Sequence, residues 1–349
     1  MIRATYITHP LIFIRPAGTS RGMLVEKPCL YIKLRSSRGE TGLGEVSFIP
    51  GLSLEKQEDL EIQVHHICKL INRGEMDLGQ ELPAMPGVKF ALETALRDLE
   101  TGGKQLLYPS EFTEGKAGIP TNGLIWMGTK AFMISQIREK IKLGFRVLKL
   151  KVGSLDFSEE MALLKWVRSE FGTADLEIRL DANGAWSPGE ALKKIGRLAE
   201  YWIHSIEQPI APGQLEALAQ LCADSAIPVA LDEELIGISD SRIRNELLEQ
   251  VRPAYIILKP GLLGGFSVTA EWIALAEKYR AGWWITSALE SNVGLNAIAQ
   301  WTWEQGISRP QGLGTGALYT NNILSPLRMS GQQLWYLSEH KWELNSIGL

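Results

Sequence analysis

The chain has 349 residues, 45% of them hydrophobic, with 36 Lys and Arg against 40 Asp and Glu, a formal charge of −4. That mixed balance excludes the basic stripe of a nucleic-acid binder, while the apolar content suffices for a large buried core. Three scattered cysteines, Cys29, Cys68 and Cys222, exclude a disulfide framework or paired zinc motif, and no apolar run reaches the ~20 residues of a membrane span. The opening MIRATYITHPLIFIRP lacks a basic segment leading into a long apolar core, so it does not read as a signal peptide and a cytoplasmic protein is expected. Residues 1–50 then read as strands (ATYITHPLIFI, CLYIKLRS, TGLGEVSFIPG), with a small polar loop at 17–22. Helical periodicity follows over Leu54 to Arg73 and Gly87 to Glu100, so residues 1–110 are expected to form an α+β domain.

Beyond residue 110 the rhythm becomes strand then helix. IPTNGLIW, FRVLKLKV, LEIRLDA, IHSIEQP, PVALDE, AYIILKP and GWWITSA are nearly continuous apolar runs, as in a parallel sheet covered by helices, with a short eighth strand near QGLG. Ser187-Pro188 marks a helix start between them. A (β/α)8 barrel uses about 30 residues per unit and carries its chemistry at the C-terminal strand ends. The expected fold is therefore α/β: a modified barrel over 111–319, preceded by the α+β domain and followed by a tail, 320–349, that packs back on that domain.

Charged residues close five consecutive runs. Lys149 and Lys151 end the second, Asp181 follows 30 residues after Lys151, and Glu207, Asp232 and Lys259 follow at intervals of 26, 25 and 27. Residues i and i+2 of a strand share a face, so both lysines point into the barrel. Two ammonium groups held close repel, which is expected to push one lysine towards neutrality and make it a general base. Three carboxylates from three strands offer the hard oxygen donors that Mg²⁺ prefers, with Mn²⁺ able to substitute. Lys259 enters from the other side, where its charge can stabilise an anion. Together these groups suit removal of the proton α to a carboxylate, with the resulting enediolate held by the metal.

At these residues the chain resembles the enolase superfamily, in the branch carrying a Lys-x-Lys pair, over essentially its whole length. Four segments, 19–22 (TSRG), 179–186 (RLDANGAW), 287–301 (SALESNVGLNAIAQW) and 312–322 (GLGTGALYTNN), are similar to the o-succinylbenzoate synthases of menaquinone biosynthesis. The resemblance implies a capping domain over the barrel, Lys151 as base with Lys149 beside it and Lys259 opposite, and Asp181, Glu207 and Asp232 as Mg²⁺ ligands. The implied reaction is syn dehydration of 2-succinyl-6-hydroxy-2,4-cyclohexadiene-1-carboxylate. Its relatives include N-acylamino acid racemases and dipeptide epimerases, which use the same two lysines; a non-catalytic metal-binding homologue is a third reading. Dipeptide epimerases carry an Asp-x-Asp near the eighth strand, where this chain reads GLGTGALY, so the pocket suits a neutral or anionic arm.

The substrate, a small carboxylate, is expected to meet Thr19, Arg21, Ser287, Glu290, Ser291, Asn292 and Gly314. The loops 19–22 and 48–53 should close over it, with Arg21 reaching a carboxylate. Arg179, Asn183 and Glu233 are expected to support the metal ligands and lysines from behind. Gly312, Gly314 and Gly316 offer backbone N–H groups to an anion, and Trp186 lies close enough in sequence to approach the site. Gly261, Gly264 and Gly265 imitate a phosphate loop but read as an ordinary barrel loop. His204 sits at the wrong end of its strand for catalysis. Neither a nucleic-acid nor a membrane partner is expected, and nothing in these features encodes the oligomeric state.

Overall fold

The computed structural model describes residues 2–19 and 22–347, without the side chains of Thr19 and Ser346. Five strands open the chain: β1 (Arg3–Thr8), β2 (Leu11–Thr19), β3 (Gly22–Lys27), β4 (Leu30–Arg35) and β5 (Thr41–Val46). β1, β4 and β5 form an antiparallel sheet with β4 in the middle, and β2 and β3 form a separate hairpin. The polar stretch expected as a loop is therefore largely strand. Ala17 and Gly18 pair with Leu24 and Met23 across the hairpin, which satisfies their backbone groups without a loop.

Helices α1 (Gln57–Arg73) and α2 (Pro86–Glu100) cover the sheet and bury Leu30, Ile32, Leu60, Val64, Val88 and Leu92 between them. α2 lies hard against β5 because β5 carries glycines. A Cβ on Gly42 or Gly44 would come within 2.1 or 2.0 Å of a helix carbonyl oxygen.

The second unit begins with β6 (Ile119–Pro120) and β7 (Gly123–Ile125). It continues α3 (Lys130–Lys142), β8 (Val147–Lys151), α4 (Phe157–Glu170), β9 (Glu177–Asp181), α5 (Pro188–Leu198) and β10 (Ser205–Glu207). Then come α6 (Leu215–Asp224), β11 (Val229–Leu231), α7 (Ser241–Val251), β12 (Tyr255–Leu258), α8 (Pro260–Leu263), α9 (Phe266–Tyr279), β13 (Gly282–Ile285) and α10 (Asn292–Glu304). β7 to β13 form one parallel sheet in chain order. Its two edges meet at residues 311–312, where Gln311 bridges to Thr121 and Gly312 to Thr286. The fold is a modified (β/α)8 barrel with an N-terminal α+β cap. Its eighth strand, expected near QGLG, is only this pair of bridges, since a run rich in glycine holds a strand weakly.

The run read as the first barrel strand also divides. Ile119 and Pro120 leave the barrel and pair with a C-terminal hairpin, β14 (Leu327–Ser330) and β15 (Gln333–Tyr336). The tail was expected to pack back on the N-terminal domain. It meets both units: the hairpin joins β6, while Tyr319, Ile323 and Ile347 pack with Leu11, Phe13 and Tyr31. α5 starts at Ser187 with a reciprocal capping box to Glu190 and Pro188 in its first turn. Among the described residues, no helix is long and apolar enough to cross a membrane.

The glycine loop before α9 has an internal occupant. Glu93 of α2 accepts hydrogen bonds from Phe266 N (2.5 Å) and Ser267 N (3.1 Å) at the helix start. A Cβ on Gly265, whose φ is +99°, would stand 2.0 Å from the Glu93 carboxylate. The loop is an ordinary βα connection that receives a carboxylate from the cap.

Candidate active site

Strand register assembles the charged groups. Lys151 lies opposite Asp181 on β9, and Asp181 opposite Glu207 on β10, so the three form one row across adjacent strands. Asp232 follows β11 directly and Lys259 follows β12. The alternation predicted for β8 holds. Leu148 and Leu150 are fully buried against the helices, while Lys149 and Lys151 face the interior.

Every charge in this row has a partner. Lys149 Nζ lies 2.6 Å from Glu207 and 2.8 Å from Asp181; Lys151 Nζ lies 2.6 Å from Asp181; Lys259 pairs with Asp232. Burial opposes the charge on Lys149 and Lys259, but the facing carboxylates outweigh it and hold both ammonium groups above their ordinary values. The expected drift of a lysine towards neutrality is thus reversed at Lys149, where attraction to Asp181, Glu207 and Asp232 exceeds the cost of burial. Burial and the neighbouring Asp181 carboxylate push Glu207 well above the usual carboxylate range. Asp181, although buried, is held far below that range by its two lysines.

The donor set fits Mg²⁺ in kind: three hard oxygen donors, nearly fully buried, on three consecutive strand ends. As they stand, the carboxylates are not gathered into a three-ligand cage among the described residues, because lysine ammonium groups satisfy them. The site demands positive charge, and in this arrangement Lys149, Lys151 and Lys259 provide it.

Behind the row, Asn183 adopts a left-handed φ of +44°. It accepts from Lys151 Nζ (2.6 Å), and its amide nitrogen donates to Glu233 (2.8 Å), so it links that lysine to the carboxylate next to Asp232. Burial and Asp232 raise the pKa of Glu233. Arg179 does not support the three carboxylates through a hydrogen bond. It lies two residues deeper, donating to Glu177 (2.8 Å) and the Pro310 carbonyl (3.0 Å). His204 stacks on Tyr255 at 5.0 Å near the same end, consistent with a packing role.

These groups open into a cavity of about 960 Å³ including its mouth. Lys149, Lys151, Asn183, Glu233 and Lys259 line one side; Asn122, Leu124, Trp126, Trp284, Thr286, Ser287, Gly314 and Thr315 line the other. Ile49, Pro50 and Leu52 of the cap reach the mouth, as the 48–53 loop was expected to do, and Gly18 joins them. Arg21 lies outside the described residues, as does the side chain of Thr19.

Three expected substrate contacts sit elsewhere. Glu290, fully buried, accepts from Ser47 Oγ and Ala288 N, both at 2.6 Å. Ser291 caps α10 and donates to Glu45 from both N and Oγ. Asn292 binds Asn322 and the Ile323 carbonyl. All three turn towards the cap or tail, where Ser47, Glu45, Asn322 and the Ile323 carbonyl hold them. Gly312 spends its N–H on Ile285, so it donates to no substrate. Trp186 packs against Lys194 rather than in the cavity.

Sequence reading missed Asn122, Leu124, Trp126, Trp284 and Thr315 as cavity residues. Only Trp284 had a signal, since one of two adjacent tryptophans in a barrel strand must face inward.

The sequence profile of the family described as Enolase C-terminal domain-like matches residues 133–311. The chain is 46% identical over 358 aligned positions to an o-succinylbenzoate synthase of Desulfotalea psychrophila, covering 94% of this chain and 97% of that protein. The crystal structure of MenC from that organism superposes with a TM-score of 0.84, covering 96% of this chain and 99% of the other at 43% identity. The L-Ala-D/L-Glu epimerase of Bacillus subtilis is 26% identical over 314 positions, covering 85% and 83%. Its substrate-liganded structure shares the fold with a TM-score of 0.82 at 21% identity, covering 97% of this chain and 96% of that one.

Proposed function

The chain belongs to the enolase superfamily and, within it, to the o-succinylbenzoate synthases, and on that footing we propose that it makes o-succinylbenzoate by Mg²⁺-dependent syn dehydration of 2-succinyl-6-hydroxy-2,4-cyclohexadiene-1-carboxylate, in the cytoplasm, for menaquinone biosynthesis. One observation carries the reading: a cavity holds Lys151 and Lys259 on strands either side of three consecutive strand-end carboxylates. Asp181, Glu207 and Asp232 would hold Mg²⁺, which supplies fixed positive charge for the substrate carboxylate as its α-proton leaves.

The remaining chemistry belongs to side chains of this chain. Lys151 Nζ, in its neutral amine form, takes the α-proton and becomes the ammonium, oriented by the Asn183 carbonyl oxygen. It returns that proton to the departing hydroxyl on the same face, so one C–H and one C–O bond break, a ring double bond forms and water leaves. Lys259 keeps its proton and faces the developing negative charge from the opposite side. Ile49, Pro50 and Leu52 exclude water above. Aromatisation drives the loss of water, so a separate strong acid is unnecessary.

The facing lysines also favour a second reading, racemisation of N-acylamino acids or epimerisation of dipeptides, which needs a base on each face of the α-carbon. Assaying purified protein with Mg²⁺ on the cyclohexadiene acid and on dipeptides separates the two. We expect efficient dehydration and poor epimerisation; preference for a dipeptide would overturn the dehydratase reading.

A further inference from the structure

Barrel interiors are usually filled by branched aliphatic side chains. Here an indole occupies the interior. Trp284 points inward from β13 against Ala230 and Ile257, and it is only 2% exposed, yet it forms a wall of the cavity that holds the three lysines. The inward residues on β10 and β11, Ser205 and Ala230, are small and leave it room.

Its position is fixed from behind. The Arg179 guanidinium lies 4.3 Å from the ring centroid, itself held by Glu177 and the Pro310 carbonyl, and Tyr255 packs at 5.4 Å. The ring cannot recede without breaking those contacts. The cavity therefore has a rigid, flat, apolar floor of set depth beneath three ammonium groups, with a buried cation below it that favours anionic ligands.

Resting on the function proposed above, we infer that Trp284 is a specificity-determining residue: its indole is the surface on which the planar six-membered ring of the substrate packs, selecting cyclic over acyclic carboxylates. A flexible acyl-amino acid would gain less from a flat floor than a ring does.

The test compares wild type, Trp284→Phe and Trp284→Leu, as full-length protein with Mg²⁺. KM and kcat are measured on the cyclohexadiene acid, with inhibition constants for o-succinylbenzoate and for an acyclic N-succinylamino acid. In Trp284→Leu we expect KM and the o-succinylbenzoate constant to rise about tenfold, the scale of one lost aromatic contact. The turnover number should fall less than about threefold and the acyclic constant should hardly move. Trp284→Phe should show a smaller rise confined to the cyclic ligands, and it carries the test should the leucine variant not fold. Equal losses for cyclic and acyclic ligands, or an unchanged KM, would reduce Trp284 to core packing and overturn the inference. Wild type that fails to convert the cyclohexadiene acid would instead overturn the functional reading, while dissociation constants for the same two ligands, measured by calorimetry, still judge the floor.

Discussion

The barrel mouth has two unlike arcs. From β8 to β12 each strand end delivers a charged side chain, and nearly every polar atom there is committed to an ion pair. From β13 through residues 311–315 to β7 the lining is neutral: Trp284, Thr286, Ser287, Gly314, Thr315, Asn122 and Leu124. The first arc comes from regular strands in strict register, the second from the segment where the eighth strand dissolves into bridges. On the proposed function, the proton-transfer and metal-binding groups sit on the regular arc, and selection among substrates falls to the neutral arc.

If that division is real, damage to the arcs should differ in kind. The largest effect belongs to the proposed metal ligands. Asp232→Asn, or stripping divalent ions with a chelator, should abolish turnover while circular dichroism stays native. Chelated enzyme that keeps full activity would end the assignment.

Next comes Lys151→Ala, expected to lower kcat by about 10⁴-fold, the upper range for general acid–base catalysis. Near-wild-type dehydration by that variant would show the base is misassigned. On the neutral arc, Ser287→Ala removes a 2.6 Å hydrogen bond to Thr315. Its cost should be about 1 kcal/mol, seen as a KM rise of about fivefold with kcat nearly unchanged. A collapse of kcat instead would erase the distinction between the arcs.

The smallest effect lies where the cap meets the barrel. Burial raises the pKa of Glu290. A carboxyl raised on folding favours the folded state below its ordinary pKa near 4, and that advantage is lost as pH rises through the raised value. Relative to Glu290→Gln, wild type should therefore lose melting temperature as pH rises from about 4 towards neutrality. A difference that stays flat with pH would show that Glu290 titrates normally.

The charged arc was legible in the sequence because period-2 strands and a near-constant unit length convert spacing into position. Lys149, Lys151, Asp181, Glu207, Asp232 and Lys259 all reach the same mouth. The neutral arc was not. Ser287 and Gly314 do line the cavity, but Glu290, Ser291 and Asn292 turn away. The direction of Glu290 and Ser291 depends on Ser47 and Glu45, roughly 240 residues earlier, and that of Asn292 on Asn322 and Ile323 in the tail. No local pattern encodes a partner so distant. The split of IPTNGLIW was hidden for the same reason, since the partner of Ile119 is Leu334 in the tail.

Glu93 at the start of α9 has a consequence for ligand competition. A glycine turn feeding a helix is a ready receptor for phosphate. Here the anion is tethered, so its local concentration is of millimolar order or above, whatever the solution contains. Free phosphate or a nucleotide would have to displace a ligand that never diffuses away. The loop is saturated by its own chain, and the same bond clamps the cap helix to the barrel.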